Sequence, residues 1–137
     1  MANSIAYSDS PSGWASSKPC QSPAQAWEAL QLGNCGPPTE TGAEWLVLTN
    51  GVGPMRPYRI GAILLDLDDP TRIIGRLREP PSSPDPDQRT GYVPNVFYSC
   101  GALVHAGTLV LPYGLGDAAI GFATVPLSEL LAELQEQ

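Results

Sequence analysis

The chain repeats itself along two strand pairs. Trp45-Leu46-Val47-Leu48-Thr49-Asn50-Gly51-Val52-Gly53 lines up with Thr108-Leu109-Val110-Leu111-Pro112-Tyr113-Gly114-Leu115-Gly116, and each run leads into a second apolar strand, Arg59 to Leu65 or Ala119 to Val125. A period of roughly 60 residues lies in the range of solenoid and propeller repeats. The opening Ser4-Ile5-Ala6-Tyr7-Ser8-Asp9 resembles only the second strand of the unit. The chain therefore reads as the tail of a larger repeat protein, and a function must be argued for a part.

Fifteen prolines and fourteen glycines punctuate short aliphatic and β-branched runs. That is the pattern of an all-β fold with many turns. Runs apolar on both faces, such as Ala62-Ile63-Leu64-Leu65, suit small sheets stacked face to face around an axis better than a two-sheet sandwich. The exception to β structure is Pro126 to Leu134, where Leu127, Leu130, Leu131 and Leu134 fall at helical spacing with Ser128 as the expected cap. From Arg76 to Tyr92, Pro80, Pro81, Pro84 and Pro86 rule out a central strand and predict an exposed connection. The expected division is a part-blade and connection over 1–44, a blade with its proline-rich loop over 45–92, and a last blade with a short C-terminal helix over 93–137.

With 7 basic against 14 acidic residues, the net charge of -7 repels phosphate backbones, so nucleic acid is not an expected partner. The longest apolar runs fall far short of the ~20 residues a membrane helix needs. Met1-Ala2-Asn3-Ser4 lacks the charge and apolar core of a secretion signal, so a soluble, cytoplasmic protein is expected. Cys20, Cys35 and Cys100 are odd in number and form no CxxC pair, and His105 is the single histidine. Neither a disulfide framework nor a zinc site is expected, and no metal or cofactor. His105 falls where a solvated hairpin turn is predicted.

At the axial ends of stacked blades, polar and aromatic residues build the functional surface. Asn50, Tyr58, Asn95, Tyr113 and Asp117 stand out by that criterion, each with an alternative role in turns or packing.

Several segments in order carry a family resemblance: Trp27-Glu28, Gly33-Asn34-Cys35-Gly36-Pro37-Pro38-Thr39-Glu40-Thr41, Trp45 to Val52, Tyr58 to Pro70, Gly91-Tyr92-Val93-Pro94-Asn95-Val96 and Asp117 to Ala123, with Ser8 to Trp14 as a blade turn. Together they resemble the C-terminal portion of glycoside hydrolase family 130, the β-mannoside phosphorylases and related β-mannosidases. The resemblance implies a partial five-bladed β-propeller of about two blades plus an N-terminal part-blade. It implies a protein acting on or binding β-mannosides, with no catalytic residue in this chain, because the family's aspartate acid lies upstream. Phosphate-holding arginines also come from upstream, while the lysine and histidine of this half fall near Gln31 and Asn50, both neutral amides here. Losing such cations removes charge-assisted hydrogen bonds of about 1.5–3 kcal/mol each, which points to a glycosidase-like parent rather than a phosphorylase. Asp117 matches the aspartate that binds mannosyl hydroxyls, and a carboxylate accepts two such donors at once. Tyr58, Asn95 and Tyr113 are the remaining substrate-binding candidates, the tyrosines also suiting blade packing. Asp66, Asp68 and Asp69 read as an outer turn.

Three functions follow: a piece of a carbohydrate-active enzyme inactive alone, a non-catalytic oligomeric carbohydrate-binding module, or a decayed fragment. An unpaired strand edge and apolar blade faces also predict self-association, most simply as a dimer.

Overall fold

The structure is a computed structural model that describes residues 2–54, 58–80 and 97–135. Most of the proline-rich connection, and Asn95, lie outside those residues. The chain is built of strands with one short C-terminal helix, as its proline and glycine punctuation predicts.

Strands β1 (Asn3–Ala6) and β2 (Ser17–Gln21) form an antiparallel pair, joined through a turn in which the Ser8 hydroxyl bonds the Ser10 and Gly13 carbonyls. The middle sheet has the order β3 (Gln31–Asn34), β5 (Glu44–Val52), β6 (Tyr58–Asp66), β7 (Ile73–Arg76), with β4 (Thr39–Glu40) also pairing with β5. It therefore begins at Gln31, ahead of Trp45, because the segment read as a connection supplies two strands to one edge of β5. The last sheet runs β11 (Ala119–Pro126), β10 (Thr108–Leu115), β8 (Phe97–Tyr98), with β9 (Leu103–His105) also on β10. The two repeated pairs are the antiparallel hairpins β5–β6 and β10–β11.

The middle sheet is buried on both faces. On one, Val47, Ile63 and Leu65 pack with Trp45 and Ile73. On the other, Leu46, Ala62 and Leu64 meet Leu109 from β10. Farther along the same face, Ile60 meets Phe97 and Leu111. The starts of β5 and β10 thus lie together at one end of the stack, and the turns of both hairpins lie at the other.

That packing corrects the register of the repeat. Equivalent faces of stacked sheets point the same way along the stack, yet Leu46 and Leu48, aligned in sequence with Leu109 and Leu111, belong to the same core clusters as those residues, across the interface. The alignment of β5 with β10 is one residue out, and a one-residue slip exchanges the faces of a strand. Differing turn lengths, 53–57 in one hairpin and 116–118 in the other, absorb the offset.

Helix α1 (Leu127–Gln135) buries Leu130 and Leu134 against the leucine cluster. It begins at Leu127, so Ser128 lies inside its first turn rather than capping it, and the Leu127 amide bonds the Gly107 carbonyl at 2.8 Å.

Candidate functional site

The hairpin-turn end of the stack gathers most of the residues singled out in the sequence. Gln31 pairs with Val52, which pairs with Tyr58. Two residues along, Gly33 pairs with Asn50. Directly paired residues share a face, so Gln31, Asn50 and Tyr58 lie on the side of the middle sheet that meets β10–β11. Gln31 is exposed, whereas Asn50 and Tyr58 are half-buried. Asn50 lies over Gly33, and its Oδ1 is buried without a hydrogen-bond partner among the described residues. A side chain at position 33 would collide with that amide.

Tyr113 faces the same interface from β10. Its ring stacks at 40° on Phe97, with centroids 4.5 Å apart, and covers Gly121 on the neighbouring strand. The ring thus packs on its own sheet, against the cluster that joins the two sheets. Asp117 occupies the β10–β11 turn, where Ala118 N–H donates to the Leu115 carbonyl at 2.9 Å. Gly116 and Asp117 both have positive φ, 53° and 54°, the arrangement of a tight hairpin turn with the two-residue twist that suits β-strands. Aspartate tolerates that backbone better than most residues. Its carboxylate accepts no hydrogen bond among the described residues, so turn geometry and an available acceptor coexist there.

The other sequence candidates have structural partners. Asp66 accepts the Asp68 and Asp69 amides at 3.0 and 2.9 Å and meets Arg72 at 3.3 Å. Asp69 accepts the Thr71 hydroxyl at 2.6 Å, which holds its carboxyl below the usual carboxylate range. This is the hydrogen-bonding of an outer turn. His105 ends β9 at an exposed position before the Ala106-Gly107 turn. Among the described residues, no group of three or more His, Cys, Asp or Glu is placed to hold a metal.

Sequence reasoning missed the segment that covers the opposite face of the middle sheet. Trp27, in a 3-10 turn over Ala26–Glu28, lays its indole across Gly51 and Gly61 and donates from Nε1 to the Arg78 carbonyl at 3.2 Å. Glycines inside two adjacent strands are the signal for such a close approach. Glu28, 1% exposed, accepts the Ala24 and Gln25 amides at 2.8 and 3.1 Å and pairs with Arg76 on β7 at 3.4 Å. Beside this cover opens a cavity of about 550 Å³ lined by Trp27, Gly53, Arg59 and Arg78. None of the sequence-predicted site residues lines it. A second, apolar void of about 240 Å³ lies between the sheets against Ile60, Leu111 and Val125. The first cavity also carries Glu79 beside Arg59 and Arg78, and the second is lined mainly by apolar residues.

The family described as β-1,4-mannooligosaccharide phosphorylase matches residues 3–136, and the chain belongs to glycoside hydrolase family 130. It is 37% identical over 128 residues to the 1,2-β-oligomannan phosphorylase of Thermoanaerobacter sp. (strain X514), a match spanning 92% of this chain and 43% of the relative. Its structure superposes with a TM-score of 0.82, at 28% identity, on the β-1,2-mannobiose phosphorylase of Listeria innocua in complex with β-1,2-mannobiose, over 90% of this chain and 36% of that one. A family structure tied to glycoside hydrolases that target β-1,2 mannosidic linkages in Candida mannan superposes at 0.73, with 28% identity, over 91% of this chain and 40% of that one. The chain thus spans well under half the length of these relatives. No helix among the described residues is long and apolar enough to cross a membrane.

Proposed function

We propose that this chain forms part of a family 130 β-propeller, and that its hairpin-turn end contributes hydroxyl contacts to a β-mannoside site. The observation that carries the reading is the common axial end of Gln31, Asn50, Tyr58 and Asp117, on two stacked sheets. Asp117 supplies the leading contact, since its carboxylate is available and stands on a rigid turn. Tyr58 on the middle sheet is the second contact, and Tyr113 supports the site from the interface. Neutral Gln31 and Asn50 offer amide hydrogen bonds where a phosphate site needs cations, so the parent activity is glycosidase-like. The family's catalytic aspartate lies upstream of the stretch matched here, so this stretch alone is inactive.

The test is NMR titration with β-1,2-mannobiose. Affinity of millimolar order is expected, because each open-site hydrogen bond contributes only about 0.5–1.5 kcal/mol net. Asp117→Gly is the informative variant, since glycine keeps the positive-φ turn while deleting the carboxylate. It should abolish most binding, and His105→Ala should leave it intact. Equal affinity in wild type and Asp117→Gly, or no binding to either, overturns the site. Release of mannose by purified protein overturns the inactivity.

The second reading, an oligomeric binding module, is favoured by the last sheet. Ile120 and Phe122 stand 79% and 72% exposed on its face away from the stack, beside exposed Tyr98 and Leu103. Such a patch drives association. Light scattering at on the order of tens of micromolar should report a dimer, and a dispersed monomer counts against it.

A further inference from the structure

The loops that follow β3 and β8 come from different sheets and run backbone to backbone. Gly36 has φ +142°, and a Cβ there would lie 2.8 Å from both the Cys100 carbonyl oxygen and the Gly101 Cα. Gly101, at φ +156°, faces back toward the Cys35 carbonyl. The close approach requires glycine at 36, whereas at 101 it is the backbone angle that favours glycine, and each glycine directly follows a cysteine. Both loops are anchored: Cys35 N–H donates to the Leu48 carbonyl at 2.8 Å, and the Ser99 hydroxyl donates to the Pro112 carbonyl at 2.7 Å. The two thiols differ in access. Cys35 is buried with Ile60, Phe97 and Leu111, whereas Cys100 is exposed beside a shallow apolar hollow lined by Tyr98, Tyr113 and Ile120.

We propose that Cys100 is a modification site for low-molecular-weight disulfides of the glutathione class, and that Cys35 resolves the adduct into a Cys35–Cys100 disulfide joining the middle and last sheets. The Cys100 thiolate attacks one sulfur of the small disulfide, forming a mixed disulfide and releasing one small thiolate, which takes up a proton. Cys35 then gives its proton to solvent and attacks the Cys100 sulfur, displacing the second small thiol. Two protein thiols are oxidised, and one small disulfide is reduced to two thiols. The open hollow that Cys100 lines leaves room for the reagent's cysteinyl methylene and sulfur to reach the thiol. The resulting bridge would close a long loop and join the β3 edge of the middle sheet to the β8 edge of the last.

Access and environment set the order of the steps. Burial pushes the Cys35 thiol up to about 11, and the neighbouring Cys100 adds to that rise. The attacking species is the thiolate, so the second step is slow at neutral pH and gains about tenfold per pH unit below that value. A mixed disulfide at Cys100 should therefore accumulate at pH 7 and convert to the internal bridge at pH 9.

The experiment uses the full chain with oxidised glutathione at both pH values, followed by alkylation and peptide mapping by mass spectrometry. The expected result is glutathione on Cys100 at pH 7 and a Cys35–Cys100 cross-linked peptide at pH 9, with Cys20 still alkylated. In Cys35→Ser the adduct should persist at both pH values, and in Cys100→Ser neither product should form. The wild-type map stands even if a variant fails to fold. Persistence of the wild-type adduct at pH 9, cross-links to Cys20, or bridges only between chains would overturn the proposal.

Discussion

The middle and last sheets are copies of one hairpin plan with opposite surroundings. The middle sheet is covered on one side by the last sheet and, around Gly51 and Gly61, on the other by the Trp27 segment, while among the described residues the last sheet is covered on one side alone. Leu64 is 0% exposed and Phe122 is 72% exposed, although both are large apolar residues on strands of the same type. Apolar composition therefore states what a strand could bury, and the neighbouring layers decide what it does bury. The Glu28–Arg76 pair fastens the Trp27 segment over the opposite face of the middle sheet.

Breaking that fastening should have the largest effect. Glu28→Ala leaves Arg76 without its buried partner and is expected to cost about 3–5 kcal/mol in urea unfolding. Replacing both residues, as Glu28→Gln with Arg76→Met, should cost less than Glu28→Ala alone. An additive double variant would mean that the pair does not hold the segment.

The comparison is sharpened by paired truncations. Leu64→Ala should cost about 2–5 kcal/mol, the range for a fully buried leucine. Phe122→Ala should stay within about 0.5 kcal/mol for the dispersed chain. A large loss at Phe122 that depends on protein concentration would show that a second copy covers the last sheet.

A smaller effect is expected in the last sheet's other turn. Ala106 has φ +48°, a backbone that glycine adopts without strain. Ala106→Gly should therefore raise stability by about 0.4–1 kcal/mol, measured as a shift in the urea midpoint.

The smallest effect belongs to the outer turn of the middle sheet. The Thr71 hydroxyl and amide hold the Asp69 carboxyl below its ordinary value. Its folded value lies under its unfolded one, so its contribution is complete at neutral pH and is lost as pH falls through the folded value. Thr71→Val should move the Asp69 carboxyl titration upward, read by NMR. An unchanged titration would remove the hydroxyl from the account.

Local sequence determined the strand hairpins, the C-terminal helix and the family. Alternating apolar runs with glycine and proline stops act over a few residues, and motif order survives in the linear chain. The polar residues at the turn end were legible because the repeat placed them after each first strand. Register within the stack was decided only by tertiary structure: β5 and β6 are apolar on both faces, and without a period-two contrast no alignment can tell Leu46 from Val47 as the residue that meets β10. The same holds for the Glu28–Arg76 pair and the Trp27 cover, which join residues far apart in sequence. Tyr113 shows the limit within the site itself, because only packing reveals that its ring rests on Phe97 and Gly121.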